Sequence, residues 1–279
     1  MTKRPLFHPA TAAELEAYGR QLPHGILLYG KAGVGLETAA QQLAHYAHAS
    51  TIRILPEYNE KVDTEKGRIT IGVVRRLYEL VRTKSDRPRC IIITAADTIT
   101  TEAQHAFLKL LEEPTGNTTF ILLCHDPQRL LPTVLSRVQQ LQIRRIDRHQ
   151  SEALLDSLTI KDAATRSQIL FIAEGLPGRM TALASSPELL EKEAAKLRQA
   201  RAMVQGSAYE RLAIIQGLKD DRGAALEVVS YMIVLLRREV SSKRTATAET
   251  VRLLEQLEAA QVRLEANGNV RLTLAAAML

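Results

Sequence analysis

One short segment of the sequence has residue types and spacing that could hold a phosphate group. Residues 30–37 read Gly-Lys-Ala-Gly-Val-Gly-Leu-Glu. Gly30 and Gly35 match the two glycines of the template Gly-x-x-x-x-Gly-Lys-[Ser/Thr], and Gly33 lies between them. In an intact loop of this kind, backbone amides cradle the phosphates, the lysine reaches them and the hydroxyl binds Mg²⁺. The segment therefore has the frame of a nucleotide-binding loop, although a turn that matches by chance is the alternative.

The two side chains that carry the chemistry are missing from this frame. Leu36 stands at the lysine position and Glu37 at the hydroxyl position, while Lys31 and Thr38 are displaced from both. Two like charges about 4 Å apart repel by about 4 kcal/mol at an effective dielectric near 20, so the carboxylate of Glu37 opposes a phosphate. We predict that Glu37 stabilises the N-terminus of the following helix in place of a nucleotide.

The opposite end of such a site is also incomplete. Hydrolysis requires acidic residues at the end of a second strand, which hold Mg²⁺ and orient water. The apolar run Cys90–Ile93 is that strand, and Thr94 and Ala95 follow it, with Asp97 too far along. Two losses at the two ends of one site predict no catalytic residue in cis and no productive binding of ATP or Mg²⁺.

Alternating strands and helices must position this loop. Apolar runs predict strands, and apolar residues at helical spacing predict helices. The Thr101-x-x-Gln104 pattern resembles a capping box at the start of the third of these helices. The alternation predicts a parallel α/β sheet over residues 1–147. The predicted strands are 26–29, 90–93 and 120–123, and the predicted helices are 36–47, 71–82 and 101–114.

After Arg148 the sequence has almost no further strand signal. We predict a small helical domain over 148–187, with a turn at 175–178, and a larger helical domain over 188–279. Within the latter, the apolar stripe Val228–Leu236 has the character of a helix that packs in an oligomer.

Composition excludes some classes of protein. The 279 residues are 46% hydrophobic, which excludes intrinsic disorder, and the net charge of +6 would attract a polyanion. Basic clusters at Arg75–Arg76, 82–89 and 144–148 have no interleaved aromatic residues for base stacking. We interpret them first as solvated faces and second as surfaces for DNA.

The two cysteines, Cys90 and Cys124, both lie in predicted strands. Buried free thiols fit a reducing cytoplasm better than a disulfide does. His45 and His48 have no evident third metal ligand, and no Cys-x-x-Cys pair is present, so we expect no metal. Neither a signal peptide nor a membrane span is indicated.

The most specific motifs lie in residues 90–138. They are the helix ending Phe-Leu-Lys-Leu-Leu-Glu-Glu-Pro (107–114), the run 120–123, and Leu-Leu-Pro-Thr-Val-Leu-Ser-Arg (130–137). This pattern resembles the AAA+ subunits of the bacterial DNA polymerase III clamp loader, and Gly-x-Pro-Gly-Arg (175–179) resembles the small lid domain of that family. The resemblance implies an AAA+ α/β domain, a helical lid and a C-terminal helical collar.

Within that family, the gamma/tau ATPase subunits keep the lysine and the acidic pair, whereas delta-prime subunits have lost them and retain the Ser-Arg motif. This chain resembles the delta-prime type. The resemblance implies that Arg137 reaches ATP bound by a neighbouring subunit, with Ser136 as a cap that directs it; a surface salt bridge is the alternative. The Glu112–Glu113 pair would be structural or interfacial.

Some positions depart from the family pattern. Val138 replaces the cysteine of Ser-Arg-Cys, and residues 49–53 lack the four-cysteine zinc module, so we expect no zinc. His125 stands near the sensor position at the end of the third strand, which suits an inactive site. Arg179, near the position of the lid arginine, is predicted to form a structural ion pair.

The resemblance implies a non-hydrolytic clamp-loader subunit in the cytoplasm. Its implied partners are gamma/tau-like ATPase subunits, the delta subunit, the sliding clamp and primer-template DNA. Two alternatives remain open: an active AAA+ ATPase with an atypical loop, and a free-standing DNA-binding adaptor.

Overall fold

The computed structural model describes residues 5–64, 66–82, 87–112, 117–241 and 247–278. Its contacts divide the chain into two units, Met1–Ala184 and Ser185–Leu279. Our division into 1–147, 148–187 and 188–279 stays a prediction. The interpretations that involve Lys84, Glu113 and Pro114 lie outside the described residues.

The first unit is built on a five-stranded sheet with the order β2-β5-β6-β1-β7, in which every pairing is parallel. The three central strands are buried apart from the half-buried Tyr29, because both faces of the sheet are covered, and each accordingly contains an apolar run. The predicted parallel α/β sheet is confirmed. The strands are β1 (Gly25–Tyr29), β2 (Ser50–Ile54), β5 (Arg89–Ile93), β6 (Thr118–Cys124) and β7 (Gln139–Gln142).

The sequence did not predict the two edge strands. β2 reads Ser-Thr-Ile-Arg-Ile and β7 reads Gln-Gln-Leu-Gln, and most of their residues are exposed or half-buried. An edge strand pairs on one side only, so polar residues are tolerated there and the apolar signal is lost. A two-stranded antiparallel hairpin, β3 (Glu57–Tyr58) and β4 (Lys61–Val62), follows β2.

Helices cover both faces of the sheet. On one face α3 (Ile71–Arg82), α4 (Thr101–Glu112) and α5 (Pro132–Leu135) contribute to one core. On the other face α1 (Pro9–Arg20) and α2 (Leu36–Tyr46) contribute to a second core. The predicted helices at 36–47, 71–82 and 101–114 therefore exist, with α4 described as far as Glu112.

Three helices complete the first unit: α6 (Arg148–Ser157), α7 (Ala163–Ala173) and α8 (Pro177–Ser185). Asp147 opens α6 with a capping box, in which its carboxylate accepts from the Gln150 amide while the Gln150 side chain accepts from Asp147 N. Gly175, before α8, has a φ of 76°, and a Cβ there would collide with the carbonyl oxygen of Ile146. A residue without a side chain is therefore required in the turn predicted at 175–178.

The described residues of the second unit form helices joined by short connections, without a strand. Its elements are α9 (Pro187–Gln205), α10 (Ala208–Leu218), α11 (Arg222–Ser241), α12 (Ala248–Glu265) and α13 (Val270–Met278). Most of the apolar stripe Val228–Leu236 is buried inside this unit, chiefly where α11 packs against α9 and α12. Those buried residues stabilise the subunit itself, so the interpretation of the stripe as a surface for other subunits is corrected.

A buried polar network joins α9 to α11. Tyr231 donates to Glu193 at 2.5 Å, and Lys196 pairs with Glu193 at 2.7 Å and also with Glu227. Burial lowers the pKa of Lys196, but the hydrogen bonds and charges of the two glutamates outweigh it and raise that pKa above its usual value. Among the described residues, no helix is long and apolar enough to cross a membrane.

Candidate functional site

The glycine loop runs from the end of β1 to the start of α2, as the phosphate-loop template requires. Gly30 N donates to Cys124 O at 3.2 Å, and Nδ1 of His125 lies 2.8 Å from Gly30 O. A Cβ at Gly30 would lie 2.7 Å from the carbonyl oxygen of Ile143, so a side chain does not fit there. The loop is thus pinned to the ends of its neighbouring strands, and His125 contributes directly to that attachment.

The later glycines set the turn into α2. Gly33 and Gly35 have φ values of 82° and 99°, in the left-handed region that favours glycine. Gly35 occupies the N-cap position of α2, where no side chain accepts from the first amides of the helix. The frame of the loop is therefore present in three dimensions.

The first turn of α8 lies directly on this loop. Gly178 N donates to Gly33 O at 2.8 Å, and a Cβ added to Gly33 would be 3.2 Å from both N and Cβ of Arg179. Gly178 is among the first residues of α8, whose amides have no partner within the helix. The Gly33 carbonyl accepts from one of those amides, so the loop connects the end of β1 to the first turn of α8.

The side chains at the two altered template positions are engaged within the protein. Leu36 is 6% exposed and belongs to the same core as Val34. The carboxylate of Glu37 lies 3.3 Å from Nη1 of Arg53 and accepts from Nε2 of Gln41 at 3.2 Å. Glu37 does lie in the first turn of α2, where a negative charge is favourable, and its predicted role at the helix N-terminus stays a prediction.

The two residues directly after β5, Thr94 and Ala95, carry no carboxylate. Thr94 donates to Ile54 O through both its amide and its hydroxyl, each at 3.0 Å, and Ala95 adopts a left-handed φ of 49°. Asp97 sits in the following turn with Oδ1 buried. Burial first, and then the charge of Asp97, raise the pKa of Cys124 to about 12, which places this carboxylate near the end of β6.

Arg137 lies just beyond the short helix α5. Its Nη1 donates to Thr133 O at 3.0 Å, and its Nη2 lies 2.5 Å from Oε1 of Glu112. The Arg137 side chain is 35% exposed and that of Glu112 is 48% exposed. Ser136 is the C-cap of α5, and its hydroxyl donates to Thr133 O and lies 3.5 Å from Nη1 of Arg137. Its role as a local cap that directs Arg137 stays a prediction.

With this geometry in view, comparisons with known proteins are informative. The family model described as "DNA polymerase III, delta subunit" matches residues 48–147. DNA polymerase III subunit delta' of Pseudomonas aeruginosa is 31% identical over 145 residues, which is 43% of each chain. The replication factor C small subunit of Methanococcus maripaludis strain S2 is 28% identical over 287 residues, covering 92% of this chain and 87% of that protein.

The chain is therefore similar to clamp-loader subunits of both the DNA polymerase III and the replication factor C type. Its match to the P. aeruginosa relative spans less than half the length of that protein. The resemblance to delta-prime subunits, inferred above from the lost lysine and acidic pair and the retained Ser-Arg motif, agrees with the family model and with this relative.

Solved structures share the fold of this chain. A gamma-subunit-related protein of Thermotoga maritima superposes with a TM-score of 0.56 at 17% identity, covering 96% of this chain and 97% of that one. The RuvB Holliday junction branch migration motor of the same organism gives 0.50 at 14% identity, covering 82% and 75%. The predicted AAA+ fold with a C-terminal helical part is confirmed.

Most arginines of the basic clusters that the structure describes pair with groups of the same chain. Arg89 is buried, and its guanidinium donates to the Thr118 hydroxyl and to Leu80 O. The buried Arg89 departs from our first interpretation of the clusters as solvated faces, and the second interpretation, a surface for DNA, stays a prediction. The ion pairs are Arg76–Glu57, Arg82–Glu79, Arg144–Glu14, Arg145–Glu174 and Arg148–Glu152.

The histidine pair His45 and His48 lies on the surface, and the expectation that it binds no metal stays a prediction. His45 and His48 both reach solvent at least in part. Within the described part of the chain, no group of three or more His, Cys, Asp or Glu side chains could hold a metal ion.

The role predicted from the sequence for Gln104 in helix α4 is wrong. Gln104 was predicted to form a capping box, but its side chain is buried and faces the segment before α5. Its amide nitrogen donates to Ile99 O at 3.2 Å and Arg129 O at 3.1 Å, and its oxygen accepts from Leu131 N at 2.7 Å. The helix is capped by Thr100, whose hydroxyl accepts from Ala103 N at 3.4 Å. A glutamine four residues into an amphipathic helix has no sequence signal that would distinguish these two roles.

Proposed function

We propose that this chain is a non-hydrolytic, delta-prime-like subunit of a DNA polymerase III clamp loader. It assembles in the cytoplasm with gamma/tau-like ATPase subunits and a delta subunit, and the complex loads the sliding clamp onto primed DNA. Its own chemical contribution is Arg137, presented in trans to ATP held by a neighbour. The observation that carries the proposal is the combination of an altered phosphate loop with a partly exposed arginine in the Ser-Arg motif.

The non-hydrolytic character is supported at both ends of the loop. The lysine that would attract the phosphates is replaced by the buried Leu36, and the Mg²⁺-binding hydroxyl by Glu37. Neither Thr94 nor Ala95 can act as the acid that holds a metal and orients water. The bond between Gly178 and Gly33 adds a structural use for the loop that requires no nucleotide.

The role of Arg137 is supported by its exposure and its chemistry. A guanidinium presents planar donors that match phosphate oxygens, and it stays charged at all physiological pH values. An arginine supplied in trans stabilises the charge of phosphoryl transfer and can increase the rate by about 10³–10⁵ at the site it serves. Such a residue acts without any nucleotide site in its own subunit.

Reconstitution with a gamma-like ATPase subunit, a delta subunit, the clamp and primed DNA tests this function. We expect Arg137→Ala to leave assembly intact, as judged by gel filtration, and to depress DNA- and clamp-stimulated ATP hydrolysis. Arg20→Ala is the matched control because Arg20 is an exposed arginine that also pairs with a glutamate, Glu16. Unchanged hydrolysis by Arg137→Ala would remove the trans role.

The isolated chain distinguishes the two alternatives. Micromolar ATP affinity with measurable turnover would establish an active ATPase with an atypical loop. Tight DNA binding without partners, with affinity that falls steeply as salt rises, would establish a free-standing adaptor. We expect neither behaviour.

A further inference from the structure

The guanidinium of Arg137 is held from two helices. The Thr133 carbonyl and the Ser136 hydroxyl both lie next to Nη1, and both belong to α5 and its C-cap. The acidic partner is Glu112, at the end of α4, whose Oε1 lies 2.5 Å from Nη2. Residues from α5 therefore hold one side of the guanidinium, and a carboxylate from a different helix holds the other.

The ends of these two helices share one buried core. Leu110 and Leu111 of α4 lie in the same core as Val134 and Val138. Gly25 lies between them, because a Cβ there would be 3.0 Å from the Val138 side chain and 3.1 Å from that of Leu111. The backbones that carry Glu112 and Arg137 are thus fixed on one packed platform.

The buried side chain of Gln104 makes a second connection between the helices. It bonds the backbone at Arg129 and Leu131, just before α5, to the first half of α4. Functional side chains are held most accurately when their supporting elements are rigid. The distance between Glu112 and Arg137 is therefore set by the fold, although both side chains reach solvent.

The Glu112–Arg137 ion pair contributes little to the folding stability of the protein. Both side chains are more than a third exposed, and ion pairs of this exposure contribute little to folding. Its main effect is to constrain the orientation of the Arg137 guanidinium. Ordering a long, flexible side chain at an interface costs a factor of about 2 to 12, and a side chain already held in place avoids much of that cost.

We propose that Glu112 is the positioning residue of Arg137. By accepting from Nη2, it holds the guanidinium in one orientation before the subunit meets a nucleoside triphosphate bound by its neighbour. This inference rests on the proposed trans role of Arg137. Glu112 contacts the arginine and not the phosphate, so it acts on the reaction through Arg137 alone.

Two substitutions in the reconstituted loader separate orientation from charge. Because an arginine of this kind acts in the transition state, Glu112→Ala is expected to lower kcat for stimulated ATP hydrolysis about 3- to 10-fold with little change in KM. Glu112→Gln keeps an oxygen that can accept from Nη2 and is expected to stay within about twofold of the wild-type kcat. Glu16→Ala, which removes an exposed glutamate paired with Arg20, is the control and should have no effect.

A double mutant distinguishes failure of this inference from failure of the proposed function. In the Arg137→Ala background, Glu112→Ala should cause no further loss. An equal loss in both backgrounds would show that Glu112 acts independently of Arg137 and would overturn the inference while leaving the trans role intact. A wild-type kcat for Glu112→Ala, or an increased kcat for Glu112→Gln, would also overturn it. If Arg137→Ala itself has no effect, the proposed function fails first.

Discussion

Replacing Gln104 tests whether the platform beneath Arg137 depends on one buried amide. Gln104→Met keeps nearly the same side-chain length and volume but removes its donor and its acceptor. The change leaves Leu131 N without an acceptor and takes a donor away from Ile99 O and Arg129 O. The fold should survive, with the segment before α5 less firmly held to α4.

The magnitude follows from these contacts. Gln104 is 2% exposed, so its partners face little water when the amide is lost. An amide left unsatisfied costs about 1–3 kcal/mol, and each carbonyl that loses a net hydrogen bond costs about 0.5–1.5 kcal/mol. The apolar methionine recovers about 1 kcal/mol by its burial. We therefore expect Gln104→Met to lower the free energy of unfolding of the first unit by about 3 kcal/mol, within a range of about 1–5 kcal/mol.

Urea unfolding and amide hydrogen exchange together check this expectation. The urea midpoint should fall, and exchange should accelerate in the segment that contains Leu131 because its amide has lost its acceptor. Gln41→Met is the control, since Gln41 is an exposed glutamine on α2 and such changes stay within about 0.5 kcal/mol. A loss below about 1 kcal/mol with unchanged exchange at Leu131 would refute the reasoning.

Three further outcomes concern other parts of the molecule. Burial raises the pKa of the Cys90 thiol to about 11 and contributes most to raising that of Cys124 to about 12. Iodoacetamide at pH 8 should therefore label neither thiol in the native protein and both thiols in urea, as measured by mass spectrometry. Labelling of the native protein would contradict the burial of these thiols. Burial lowers the pKa of Lys196, but the two glutamate partners of Lys196 outweigh this effect and raise the pKa above its usual value. The charged Lys196 therefore contributes its full stabilisation below a pH of about 10.5, and this contribution is lost as the pH rises through the raised pKa. Lys196→Met should therefore show a smaller fall in urea midpoint than wild type between pH 9 and pH 12, roughly, and an equal fall would contradict this. Finally, Gly175→Ala should destabilise the protein by about 2–4 kcal/mol, because the alanine must adopt a positive φ and its Cβ collides with a carbonyl oxygen. Gly217→Ala is the comparison: it lies in α10 with open space around it and should stabilise the protein by up to about 1 kcal/mol. Thermal unfolding of the two variants measures both effects.

Much of the sheet and its helices could be predicted from local pattern. Cys90–Ile93 and 120–123 are continuous apolar runs, which is what burial on both faces of a parallel sheet requires. Helix α3 spans 71–82 as its apolar spacing predicts. The edge strands β2 and β7 could not be found in this way, because their polar residues are permitted by an unpaired edge that exists only in the folded sheet.

The sequence by itself determined which chemistry is missing and which residue is retained. Leu36, Glu37, Thr94 and Ala95 are identities at known positions of a template, and no folding can supply the lysine or the acid they replace. Only the tertiary structure decided what these and other polar groups contact. Gly178 meets Gly33, Glu37 pairs with Arg53, and Gln104 binds the backbone before α5 rather than capping α4.

The pairing of Arg137 with Glu112 belongs to the same class of contact. Both residues stand in recognisable motifs, yet neither motif states that the carboxylate of one meets the guanidinium of the other. Local periodicity reports which face of an element is apolar, because that depends on neighbours a few residues away. The partner of a polar side chain depends on how elements distant in sequence pack against each other. The contact of Arg137 with Glu112 therefore follows from the packing of α4 and α5 in one core, which the sequence pattern does not specify.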